Sequence, residues 1–106
     1  MPSNVRRISV GLSNGVTMEL KKYGKLITGR MFCDKNISSG TKLGNIPVDY
    51  RPSEWATYPS GWIYMHFSMG GSHAVSITVN HNGDVTYNNT DNVGVWGTFD
   101  GTWFSD

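Results

Sequence analysis

Residues 62–85 read WIYMHFSMGGSHAVSITVNHNGDV. Ile63, Met65 and Phe67 alternate with Trp62, Tyr64 and His66. A strand over residues 62–68 therefore puts apolar side chains on one face and aromatic or imidazole rings on the other. Met69-Gly70-Gly71-Ser72 turns the chain. Val75, Ile77 and Val79 then alternate with Ser76, Thr78 and Asn80. His81-Asn82-Gly83-Asp84 contains Asn-Gly, the strongest short hairpin signal, and residues 85–87 return. A helix needs apolar residues at i, i+3 and i+4, and no segment of this chain keeps that spacing for several turns without Gly or Pro. The stretch reads as antiparallel β structure.

The pattern extends in both directions. Val16, Met18 and Leu20 alternate with Thr17, Glu19 and Lys21, Tyr23-Gly24-Lys25 turns the chain, and a second strand runs from Leu26 through Cys33. Residues 1–13 read as a leader with a weak first strand over residues 5–10, and residues 14–106 as the domain proper. Residues 34–60 read as a long irregular crossing. Pro47, Pro52 and Pro59 fix local φ there, and one helical turn is expected near residues 52–55. Tyr50, Trp55 and Tyr58 are expected to pack this crossing. Downstream, a polar loop over residues 88–92 leads to a strand over residues 93–96, and Asp100-Gly101 makes a last turn before Trp103-Phe104. About seven or eight strands at this spacing imply an all-β fold, a compact antiparallel β-barrel or a jelly-roll-like sandwich.

Composition narrows the function classes. The chain has 106 residues, enough for one domain with one core. Charged residues are 16% and aromatics 12%, with four Trp and 13 Gly, a balance that favours turn-rich β structure over disorder. A formal net charge of +1 argues against nucleic acid as the main partner. The single cysteine, Cys33, forms no internal disulfide and reads as a small core residue. No Cys/His set has zinc spacing, and the loop over residues 88–92 offers calcium only Asp91, so no cofactor or metal is expected. No run is long and apolar enough for a membrane span, and residues 1–13 lack the apolar core of a secretion signal.

The order of these features resembles the C-terminal head domains of receptor-binding and tail-fibre (baseplate) proteins of phages that infect Gram-positive bacteria, the lactococcal type in particular. The resemblance covers about residues 12–104. It rests on the hairpin over residues 15–33, on Asn45-Ile46-Pro47-x-x-Tyr50-Arg51-Pro52, and on the aromatic strand with its Gly-Gly turn. Ile77-x-Val79-x-x-x-Gly83-Asp84-Val85 closes it. The resemblance implies a homotrimeric β-barrel head on the virion, at the tail tip or baseplate among other tail proteins. Such a head acts outside the host cell by binding cell-wall polysaccharide or teichoic acid.

Saccharide recognition needs an aromatic face for the C–H side of a pyranose and planar polar groups for its hydroxyls. The candidate ligand-binding residues are Trp62, His66, His73, Asp84, Tyr87 and Trp55. Arg51 is a phosphate-fork candidate, with a role in holding the crossing through backbone carbonyls as the plainer reading. An enzyme is disfavoured. Glu19 and Glu54 are the only glutamates, the aspartates fall mostly in turns, and no nucleophile elbow or phosphate loop is present. Two other readings stand beside the adhesin. One is a structural trimeric tail module whose aromatics are interface, and the other a carbohydrate-binding module of a cell-wall-acting protein.

Overall fold

The computed structural model describes residues 5–34, 37–67, 75–89 and 97–106. The expected Gly-Gly turn, the strand over residues 93–96 and the candidate His73 lie outside them. Eight strands form one antiparallel sheet: β1 (Val5–Gly11), β2 (Thr17–Tyr23), β3 (Leu26–Cys33), β4 (Thr41–Asn45), β5 (Trp62–Phe67), β6 (Val75–Asn80), β7 (Asp84–Asn89) and β8 (Gly97–Phe104). Their spatial order is β1-β2-β3-β8-β5-β6-β7-β4. The C-terminal β8 is thus the seam between an N-terminal meander and a second group of four strands.

The sheet curls around one core, so the all-β, barrel-like expectation holds. Met18 and Leu20 of β2, Ile27 and Met31 of β3, Phe99 and Trp103 of β8, Met65 of β5, Ile77 and Val79 of β6, and Val85 and Tyr87 of β7 are all buried. These are the inward members of each period-two pattern. The edge strands β1 and β4 approach at one end, where a Cβ on Gly44 would lie 2.7 Å from a methyl of Leu12. β1 joins β2 over its whole length, from Val5↔Tyr23 to Gly11↔Thr17, so the expected leader contributes a full strand.

Two local readings change. Asp100-Gly101 is not a turn but the middle of β8, where Gly101 faces Gly29 of β3. A Cβ on Gly29 would lie 2.7 Å from the Trp103 ring and one on Gly101 3.2 Å from Met65. The two glycines leave room for the largest core side chain, which is why glycine occurs inside these strands. The crossing also contains a strand, β4, that its sequence hid. The helical turn, α1 (Glu54–Thr57), starts two residues later than expected. Its cap is Ser53, whose hydroxyl accepts from the Ala56 N–H at 3.0 Å.

The crossing is packed, though not by all three of its rings. Tyr50 is buried and its carbonyl accepts the Trp103 Nε1–H at 2.8 Å, while Trp55 and Tyr58 are exposed. Ser53 N–H donates to the Phe104 carbonyl and Ser105 N–H to that of Lys25, each at 2.8 Å. The crossing is thereby tied to the end of β8. No helix of the described residues is long and apolar enough to cross a membrane.

Candidate functional site

The outward positions of β5, β6 and β7 form a groove of about 480 Å³. β5 supplies its aromatic wall, with Trp62 40% and Tyr64 63% exposed. Both are exposed because their neighbours Ile63 and Met65 take the inward positions of the same strand. The floor follows from the register. Trp62 faces Asn80, and Tyr64, Thr78, Thr86 and Lys42 make a row across four strands. Ser76 faces Asn88 in the row beyond Tyr64. Two rings thus stand beside a field of hydroxyls and carboxamides.

Asp84 closes one end of the groove. Its Oδ1 accepts from Lys42 Nζ at 2.9 Å and from Asn45 Nδ2 at 2.8 Å. Hydrogen bonding from Lys42, and then from Asn45, holds this carboxyl below its ordinary value of 3.8. Asp84 is therefore an anion at neutral pH, fixed in place by the Asn82-Gly83 turn. That turn is a three-residue loop, residues 81–83, closed by Gly83 N–H to the Asn80 carbonyl at 2.8 Å. Gly83 has φ 92° and its Cα packs against the Arg51 guanidinium, so both backbone conformation and space require glycine.

Arg51 holds the crossing. Its Nε donates to the Ile46 carbonyl at 2.9 Å and one terminal nitrogen donates to Asn45 Oδ1 at 2.6 Å. The chain Arg51–Asn45–Asp84–Lys42 is a continuous polar brace beneath the groove end.

The remaining candidates separate. His66 lies on the same face of β5 as Trp62 and Tyr64, but its cross-strand partner is Asp100 of β8. It belongs to a charged row, Ser9, Glu19, Arg30, Asp100 and His66, that crosses the other half of the outer face. Trp55 is 85% exposed on α1, with its ring centroid 6.0 Å from that of Tyr58, and does not line the groove. Tyr87 must be withdrawn as a surface candidate. It is fully buried, packs edge-on to Phe99 at 6.4 Å, and its hydroxyl accepts from Asn89 Nδ2 at 3.3 Å. Burial raises its pKa, so the phenol stays neutral. The groove's hydroxyl and amide floor was absent from the candidate set, although the alternation that buries Val75, Ile77, Val79 and Val85 was the signal that exposes it.

Among the described residues no three His, Cys, Asp or Glu side chains converge as a metal site would require. No protein-family model matches the chain, and no curated protein matches it in sequence.

Proposed function

We propose that this domain is a non-catalytic saccharide-binding module, the receptor-binding head of a phage tail, with the groove on β5, β6 and β7 as its binding site. One observation carries the reading: two exposed aromatic rings stand beside a floor of neutral hydrogen-bonding side chains. A pyranose presents an apolar C–H face to such rings and a ring of hydroxyls to such a floor. The volume of the groove falls within the range of about 300–1,000 Å³ common for small-ligand sites. The ordered resemblance to tail-fibre heads supports the host cell wall as the source of the saccharide. A homotrimer would present three such grooves to a repetitive surface, where linked weak sites act together.

The experiment is binding of the purified domain to Gram-positive cells and to a glycan panel, with solution mass measured alongside. Saturable binding lost in Trp62→Ala supports the reading. A folded domain that binds no cell and no glycan overturns it. Binding to isolated wall glycan without adhesion to intact cells would favour a wall-enzyme module over a tail head.

A second reading, a structural tail module, is favoured by the apolar side chains outside the groove. Trp55, Tyr58 and Val48 of the crossing are 85%, 74% and 69% exposed. Exposed apolar side chains grouped on one segment suit contact with another subunit.

A further inference from the structure

We infer that the groove takes a neutral glycan bearing vicinal hydroxyls, and that it rejects phosphate-bearing polymers. The inference rests on the saccharide reading of this groove and narrows its ligand class. Three features of the lining carry it.

The first is that, among the described residues, no lysine or arginine lines the groove. Ser76, Thr78, Asn80, Thr86 and Asn88 supply uncharged donors and acceptors. Lys42 stands at the far end of the Tyr64 row and is engaged with Asp84 at 2.9 Å. The Arg51 guanidinium is engaged with the Ile46 carbonyl and Asn45. A bound phosphodiester needs a cation or several converging N–H groups to replace its hydration.

The second is the sign of the fixed charge. Among the described residues, Asp84 is the one carboxylate that lines the groove, and no Lys or Arg lines it. Paired with Lys42, it leaves an anionic ligand no uncompensated positive charge to bind.

The third is the geometry of that carboxylate. Lys42 and Asn45 both donate to Oδ1. A side-chain hydrogen bond from Asn82 adds to these, and a carboxylate's roughly four acceptor positions still leave capacity for the hydroxyls of a vicinal pair. The Asn45 and Lys42 contacts fix its plane before ligand arrives, which limits the ordering cost of binding.

The test titrates the full chain with two kinds of probe across a salt series. One is a set of neutral polysaccharides (glucan, galactan, mannan, rhamnan), and the other is poly(glycerol phosphate). The expected result is saturable binding of at least one neutral polysaccharide, little changed by salt, with no binding of the phosphate polymer. Asp84→Asn should weaken the neutral ligand by about tenfold or more, the scale of a hydrogen bond to a charged group. Lys42→Gln keeps the carboxylate and removes one of the contacts that fix its plane, so it should weaken neutral binding by less than Asp84→Asn does. Preference for poly(glycerol phosphate), fading with salt and lost in Lys42→Gln, would overturn the inference and leave the saccharide-adhesin reading standing. Binding of neither probe class by a folded chain would overturn both.

Discussion

The outer surface of this sheet has two halves that obey one alternation and differ in what they place outward. Over β2, β3 and β8 the outward residues are Glu19, Lys21, Arg30 and Asp100 with threonines between them, around a depression of about 350 Å³, and Tyr23, Phe32 and Phe104 are exposed towards the strand ends. Over β5, β6 and β7 they are Trp62, Tyr64, hydroxyls and carboxamides, around the larger groove. Opposite charges facing each other across strands, as in Glu19–Arg30–Asp100, keep a strand face in water and add modest stability. Exposed tryptophan and tyrosine serve neither end. The comparison teaches that solvation accounts for the charged middle of the first half, whereas the second sets two exposed rings beside a neutral polar floor, the composition on which the proposed saccharide site rests.

The largest effect expected from this division lies under the charged half. Trp103→Ala should cost about 3–5 kcal/mol of stability, because it empties the space that Gly29 and Gly101 leave for the ring. Denaturant unfolding measures this, and an unchanged midpoint would break the assignment of the core. Next is Trp62→Ala, expected to weaken saccharide binding about tenfold or more while the unfolding midpoint moves little. A variant that loses its fold instead would transfer Trp62 from the groove to the core.

Asp84 gives a smaller, pH-dependent effect. Its folded pKa is depressed, so its contribution is present above the ordinary value of 3.8 and is lost as pH falls through the folded value. The stability gap between wild type and Asp84→Asn should therefore be constant near neutrality and close only in acid. A gap that closes near pH 7 would contradict the Lys42 and Asn45 contacts. Smallest is Arg30→Ala on the charged half. It should leave binding unchanged and shift stability by no more than about 0.5–1 kcal/mol, the range of exposed ion pairs. A binding loss there as large as that of Trp62→Ala would erase the contrast between the halves.

Much of this was legible in the sequence. Alternation located β2, β5 and β6 and assigned their inward faces, the Tyr23-Gly24-Lys25 turn located β3, and the Asn-Gly signal located the β6–β7 hairpin. β4 escaped because it has five residues and a single buried side chain, Leu43, between Gly40 and Gly44. Asp100-Gly101 read as a turn because that dipeptide usually makes one. The close approach of Met65 and of the Trp103 ring explains a glycine in mid-strand. Tyr87 is a ligand candidate by residue type, yet it shares parity with the buried Val85, so the period-two rule already implies the core. The candidate site was legible as a face. Its depth and the Lys42–Asp84–Asn45–Arg51 brace were not, since they depend on β4 lying beside β7.

The central claim is that the face of β5, β6 and β7 binds saccharide. The most direct test is an amide and indole NMR titration of the isotopically labelled chain with the neutral polysaccharide fragments that bind it. The account predicts saturable shifts at the Trp62 indole and at the amides of Tyr64, Thr78 and Thr86, with Glu19, Arg30 and Asp100 unmoved. Shifts confined to the charged half, or to Trp55 and Tyr58, would contradict it.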